Sequence, residues 1–158
     1  MKTLLYSVFI LLLAPCNGSK KTAKTVETVV NDNSKVLITF QRTPCFGKCP
    51  TYILTINGET KTATFKGEQN TEKIGTYTKR VSDAELTQLV AEFEKAKFYS
   101  LNDNYLGEIT DFPSQITGYS NKGKAKKIED RSGGPAELLL LEKMLDDFTN
   151  SEGWKKVE

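Results

Sequence analysis

The chain has 158 residues, 38% of them apolar and 27% charged, and its 22 Lys and Arg against 20 Asp and Glu leave a net charge of +2. That fits one soluble globular domain with little to spare, and suits it better than a disordered or membrane-embedded chain. The balanced charge offers no footprint for nucleic acid, and the absence of histidine excludes Ser-His-Asp and Cys-His catalysis, His-ligated zinc or copper, and a histidine pH switch.

Met1-Lys2-Thr3 is a short positive segment, and Leu4 to Leu13 is apolar except for Ser7. Ten helical residues span about 15 Å, half the hydrocarbon core, so the run reads as the core of a signal peptide and not as a membrane span. Leu13-Ala14-Pro15-Cys16 resembles a bacterial lipobox, with Pro15 in place of the usual small residue. On this reading residues 1–15 are removed, Cys16 is lipidated, and the membrane is a partner through that anchor. The alternative is cleavage after Gly18 and simple secretion. Residues 16–34 are polar and read as a flexible tether, with Val26, Val29 and Val30 the one candidate for a short strand within it.

The folded domain is expected over 35–149, with 150–158 as a polar tail. Val36 to Phe40 and Tyr52 to Ile56 alternate as strands. Asn57-Gly58 signals a two-residue hairpin turn with positive φ at both positions. Thr60 to Lys66 returns as its partner, ended by Gly67, and Lys73 to Val81 makes a fourth strand. Ser82-Asp83-Ala84-Glu85 is a capping box, and Leu86, Leu89, Val90 and Phe93 give the following helix one apolar face as far as about Ala96. Phe98, Tyr99 and Leu101 are expected to tuck into the core, and Asn102 to Pro113 to form a loop. Ser114 to Ser120 and Lys124 to Asp130 form a second hairpin around Asn121-Lys122-Gly123. Gly133-Gly134-Pro135 opens a last helix with Pro135 in its first turn. Leu138, Leu141, Leu145 and Phe148 line its inner face, and Leu139, Leu140 and Met144 widen that face, which predicts deep burial. The sum is an α+β domain: an antiparallel sheet of about six strands with two helices packed on one face.

The sharpest motif joins the first two strands: Arg42-Thr43-Pro44-Cys45-Phe46-Gly47-Lys48-Cys49-Pro50-Thr51-Tyr52. Four readings compete. In an exported chain Cys45 and Cys49 form a natural structural disulfide, with about 2 kcal/mol from closing so short a loop. A redox-active dithiol would need a stabilised thiolate, with Lys48 and Arg42 as nearby cations but no helix expected after Cys49. The Cys-x-x-x-Cys-Pro string looks like the copper-chaperone motif of the Sco family, which also requires a distant histidine; two thiolates alone make a poor metal site, so no metal or other cofactor is expected. The fourth reading is a partner loop made of Arg42, Phe46 and Lys48.

Arg42, Cys45-Phe46-Gly47, Cys49-Pro50 and Tyr52, with Gly75, Tyr77, the helix start at Ser82 and Glu85, Phe98, Tyr105, Asp111 to Pro113 and Pro135, resemble an uncharacterised bacterial domain common in lipoproteins of the Bacteroidetes group. The resemblance covers about residues 35–148, most of the expected domain. It implies an envelope location and brings no activity with it.

Other clusters have plainer explanations. Asp103, Glu108 and Asp111 read as a solvated loop before they read as paired catalytic carboxylates. Lys122, Lys124, Lys126 and Lys127 form a basic hairpin, but Lys126 and Lys127 point to opposite faces, so they make no single stripe. The expectation is a lipid-anchored envelope protein, leaning non-enzymatic: a binding or structural module with a Cys45–Cys49 disulfide and an unidentified protein or ligand partner. The alternative is a thiol–disulfide redox protein using the same pair.

Overall fold

The computed structural model describes residues 32–108 and 111–157. Its elements in chain order are β1 (Leu37–Arg42), β2 (Thr51–Asn57), β3 (Thr62–Gln69), β4 (Gly75–Arg80), α1 (Asp83–Lys95), β5 (Asn104–Tyr105), β6 (Gln115–Asn121), β7 (Lys124–Asp130), α2 (Ala136–Thr149) and β8 (Lys155–Lys156). A single 3-10 turn, Phe98–Ser100, follows α1.

The period-2 pattern of the strands decides which face meets the helices. Ile38 and Phe40 of β1, Leu54 and Ile56 of β2, Ala63 and Phe65 of β3, Tyr119 of β6 and Ile128 of β7 are all buried on one face, together with Leu86, Leu89 and Phe93 of α1 and Leu138, Leu141 and Leu145 of α2. The opposite face carries Thr39, Thr55, Thr64 and Thr78, aligned across four strands.

The fold is α+β with two helices, but the described residues form eight strands, ordered β5-β7-β6-β1-β2-β3-β4-β8. The sheet is mixed, because β5 lies parallel to β7. Both additions are two-residue strands, too short to show periodicity. One lies in the stretch expected as loop and the other in the stretch expected as a polar tail. That tail belongs to the fold: Trp154 packs edge-on to Phe65 and Phe148 at 5.9 and 6.0 Å, and β8 pairs with β4.

Asn57-Gly58 does not make the two-residue turn. Asn57 pairs with Thr62, leaving a four-residue loop, 58–61. The Asn57 side-chain oxygen accepts the Glu59 and Thr60 N–H groups at 2.9 and 3.1 Å, and Lys61 takes the left-handed conformation (φ 50°). A Cβ on Gly58 would collide with the Asn33 carbonyl, so close approach explains that glycine. The turn with two positive φ values joins β6 to β7, at Lys122 (51°) and Gly123 (78°).

The capping box of α1 forms as its residues dictate. Ser82 Oγ accepts the Glu85 N–H at 3.2 Å, and Glu85 Oε2 accepts the Ser82 N–H at 2.9 Å. Those bonds to Ser82 hold the Glu85 carboxyl below its usual range. Phe93 stacks on Tyr119 at 4.4 Å. Phe98 is buried and Leu101 partly so, whereas Tyr99 remains exposed and donates its hydroxyl to the Lys124 carbonyl.

In α2, Pro135 is the N-cap and not part of the first turn. The wide apolar face expected there is narrower. Leu139 and Leu140 are exposed, the latter 67%, and Glu142 is only 1% exposed. A helix lying on a single sheet buries one stripe, and 138, 141, 142, 145 and 149 follow it at helical spacing. Residues 139 and 140 fall outside the stripe whatever their hydropathy. Among the described residues no helix is long and apolar enough to cross a membrane.

Candidate functional site

The strand directions bring the β1–β2 loop (43–50), the β3–β4 loop (70–74) and the segment entering β6 to one pole of the sheet. One backbone and two side-chain hydrogen bonds tie them together. The Thr43 N–H donates to the Ser114 carbonyl at 3.0 Å, Thr43 Oγ1 accepts the Ser114 N–H at 2.7 Å, and Asn70 Nδ2 donates to the Cys49 carbonyl at 3.1 Å. Cys45 and Cys49 stand at disulfide distance, with Cα atoms 5.7 Å apart. The Gly47 N–H points back at Cys45 Sγ, 3.2 Å away. Phe46, at the tip, is 95% exposed, and Lys48 is exposed beside it.

Beneath this loop lies an ionic cluster. Arg42 closes β1 and Tyr52 is the second residue of β2, and the two are register partners on the helix-facing side of the sheet. Both reach Asp146 on α2. Arg42 grips it with a fork: Nε donates to Oδ1 at 2.8 Å, and Nη2 pairs with Oδ2. Tyr52 donates its hydroxyl to Oδ1. A bidentate guanidinium–carboxylate pair fixes geometry as well as charge. The pairing with Asp146 raises the Arg42 pKa, and burial, reinforced by Asp146, raises that of the Tyr52 phenol.

Glu142 lies one turn before Asp146. Neither of its carboxyl oxygens has a hydrogen-bond partner among the described residues. Burial, with Asp130 adding repulsion, pushes its pKa up to about 8, Arg42 opposing and Asp146 reinforcing the shift. Asp130, at the end of β7, is buried too, and burial raises its pKa although it accepts the Gly134 N–H at 3.2 Å. The cluster can therefore store a proton at neutral pH. Among the described residues no group of three His, Cys, Asp or Glu is placed to hold a metal ion.

The structure brings Cys45, Cys49, Phe46 and Lys48 together in one exposed loop. Arg42 is not part of that outward surface, because its guanidinium turns inward to Asp146. Cys16 lies outside the described residues. Asp103 is paired with Lys126 Nζ at 2.6 Å, which removes it from any pair of free carboxylates and anchors one lysine of the basic hairpin. The residues not anticipated are Asp130, Glu142 and Asp146. The one available signal was Glu142 itself, a carboxylate inside the apolar stripe between Leu138 and Leu145.

No curated protein matches the chain. A family model described as a domain of unknown function (DUF6438) matches residues 36–149, and the chain belongs to that family.

Proposed function

We propose that the protein is an exported, lipid-anchored binding module of the bacterial cell envelope, non-enzymatic, whose recognition element is the disulfide-closed loop between β1 and β2. The observation that carries this is Phe46: an aromatic ring 95% exposed on a loop tied at its tip by Cys45–Cys49 and at its base by Arg42, Tyr52 and Asp146. Exposing an aromatic side chain is unfavourable, and a rigid, exposed aromatic is what partner surfaces use as an anchor. The apolar run before Cys16 supports export, and Cys16 directly after it supports the anchor. The test has two parts. Intact mass of the native protein, alkylated without reduction, is expected to start at Cys16 with acyl chains and to carry no alkyl groups. A photo-crosslinking residue at position 46 is expected to give a discrete adduct in the intact envelope; its absence refutes the recognition role, and cleavage after Gly18 refutes the anchor.

A second reading rests on the Gly47 N–H beside Cys45 Sγ, which would stabilise a thiolate there. A dithiol substrate would attack the bridge, release Cys45 as thiolate, and leave as a disulfide while Cys45 and Cys49 take up its two electrons. Loss of insulin-reduction activity on Cys45→Ser supports this reading; unchanged activity rules it out.

A further inference from the structure

We infer that the outer edge of β7, from Lys124 to Lys127, is a docking site for an extended, acidic peptide segment of a partner protein, which joins the sheet there as an added strand. The site lies at the pole away from the Cys45–Cys49 loop and does not rest on the role of Phe46.

β7 has seven residues, and on its outer side β5 covers Glu129 and Asp130 alone. There the Glu129 and Arg131 N–H groups donate to the carbonyls of Asp103 and Tyr105 at 2.9 and 3.0 Å. Backbone groups alternate in direction along a strand, so those of Ala125 and Lys127 point to the same side. Among the described residues nothing pairs with them, and both residues are exposed. The edge thus offers donors and acceptors in turn, the pattern that a second strand's backbone matches. A phosphate group supplies acceptors alone.

Side chains set the class of strand. Lys126 is taken by Asp103, and Arg131 lies 3.9 Å from Glu129. Lys122, Lys124 and Lys127 have no ion-pair partner among the described residues, and Glu94 of α1, whose charge reaches Tyr99 and Tyr119, only partly offsets them. These lysines repel the same edge of a second copy and attract carboxylates. Lys124 shares the helix-facing side with Ile128, and Lys127 stands on the helix-free side. An added strand therefore meets them with acids three residues apart, one on each face. Between the two, Ala125 lies in one register row with Ser120 and Leu37. That row borders an open cavity of about 320 Å³ on the helix-free face, lined also by Thr39, Gly118 and Lys127. An apolar side chain opposite Ala125 fills it against Leu37, so the matching segment has an acid, an apolar residue, a residue of any kind and a second acid.

The experiment mixes the full chain with a blocked peptide carrying Glu-Leu-Thr-Glu at its centre and reads backbone amide exchange by NMR. Saturating peptide is expected to slow exchange about tenfold or more at Ala125 and Lys127, and to leave Lys126 and Ile128, whose N–H groups face β6, nearly unchanged. Methylating the peptide's backbone nitrogens is expected to abolish the effect. Lys124→Glu combined with Lys127→Glu is expected to weaken binding about tenfold and to gain affinity for the peptide with Lys in place of both Glu. No slowing at Ala125 and Lys127 overturns the site, and slowing that survives methylation overturns the added strand. Equal slowing by phosphatidylglycerol vesicles overturns the peptide class in favour of a membrane surface. Thermal unfolding checks the fold of the variant. The Lys-substituted peptide tests the same charge matching on the wild-type chain, where binding as tight as that of the Glu peptide overturns it.

Discussion

Replacing Glu142 by Gln removes one ionisable proton from the core at nearly constant shape, and its signature is in the pH dependence of stability. The folded carboxyl titrates at about 8, against 4.5 for the free group. The folded state thus holds more protons than the unfolded state across that window, so stability falls as pH rises from 4.5 toward 8. Linkage puts the cost of this one group at about 1 kcal/mol at pH 5 and about 3 kcal/mol at pH 7. The groups facing Glu142 are Asp130 from β7, Arg42 from β1 and Asp146 from its own helix. Asp130 is shifted the same way and keeps its own share of the slope in the variant. The assay is urea unfolding of wild type and Glu142→Gln at pH 5 and pH 7. The variant is expected to gain about 2 kcal/mol relative to wild type on going from the lower pH to the higher. The comparison between pH values cancels any fixed penalty from burying an amide. Equal pH slopes in the two proteins would refute the buried, protonated Glu142.

Arg42→Ala and Asp146→Ala are each expected to lose on the order of 2 kcal/mol, and the double mutant far less than their sum, because the pair acts as a unit; additive losses in a denaturation cycle would sink the anchor. Gly67→Ala places a Cβ into the Lys73 carbonyl and the Phe65 ring, and a loss of at least about 2 kcal/mol is expected by thermal or urea unfolding. Leu140→Lys should stay within about 0.5 kcal/mol of wild type while Leu145→Ala costs about 2–5 kcal/mol, a contrast that unfolding curves read directly and that reverses if α2 is rotated from the stripe described.

What the chain shows on its surface is local. The capping box at Ser82 and Glu85 declares itself within four residues and forms as read. The alternation in β1 and β2 likewise names its own buried face. Features set by distant partners are not legible in the same way. Asn57-Gly58 is a better hairpin dipeptide than Lys122-Gly123, yet the strand register and the nearby Asn33 carbonyl put a four-residue loop at the first and the tight turn at the second. In α2 the row of leucines predicts a wide, deeply buried face, but only one sheet lies beneath it, so Leu140 is turned out and Glu142 in. The partner of Arg42 is 104 residues away, and nothing in the local sequence links the two. The candidate site was therefore half visible: its outward half, Phe46 between paired cysteines, was legible, and its inward half, Asp130, Glu142 and Asp146, required the fold.

The division of the motif between those halves bears on what the cysteine pair contributes. Arg42 and Tyr52 already fix the base of the loop by pairing with α2, and the loop ends are further held by Ser114 and Asn70. Closing a loop this short adds about 2 kcal/mol to the stability of the domain, a modest share of a typical total. Under the proposed recognition role its effect on binding would be of another size. Without the bridge, Phe46, Gly47 and Lys48 gain backbone freedom, and ordering them again on a partner costs about 1–2 kcal/mol for each residue, or roughly 3–6 kcal/mol in all. That exceeds two powers of ten in affinity at about 1.4 kcal/mol for each tenfold step. The Cys45→Ser, Cys49→Ser double variant is therefore expected to remain folded, to lose about 2 kcal/mol by urea unfolding, and to lose nearly all of the adduct formed from position 46. An adduct of undiminished yield from that variant would show that the bridge serves stability alone, and that the base of the loop is enough to hold Phe46 in place.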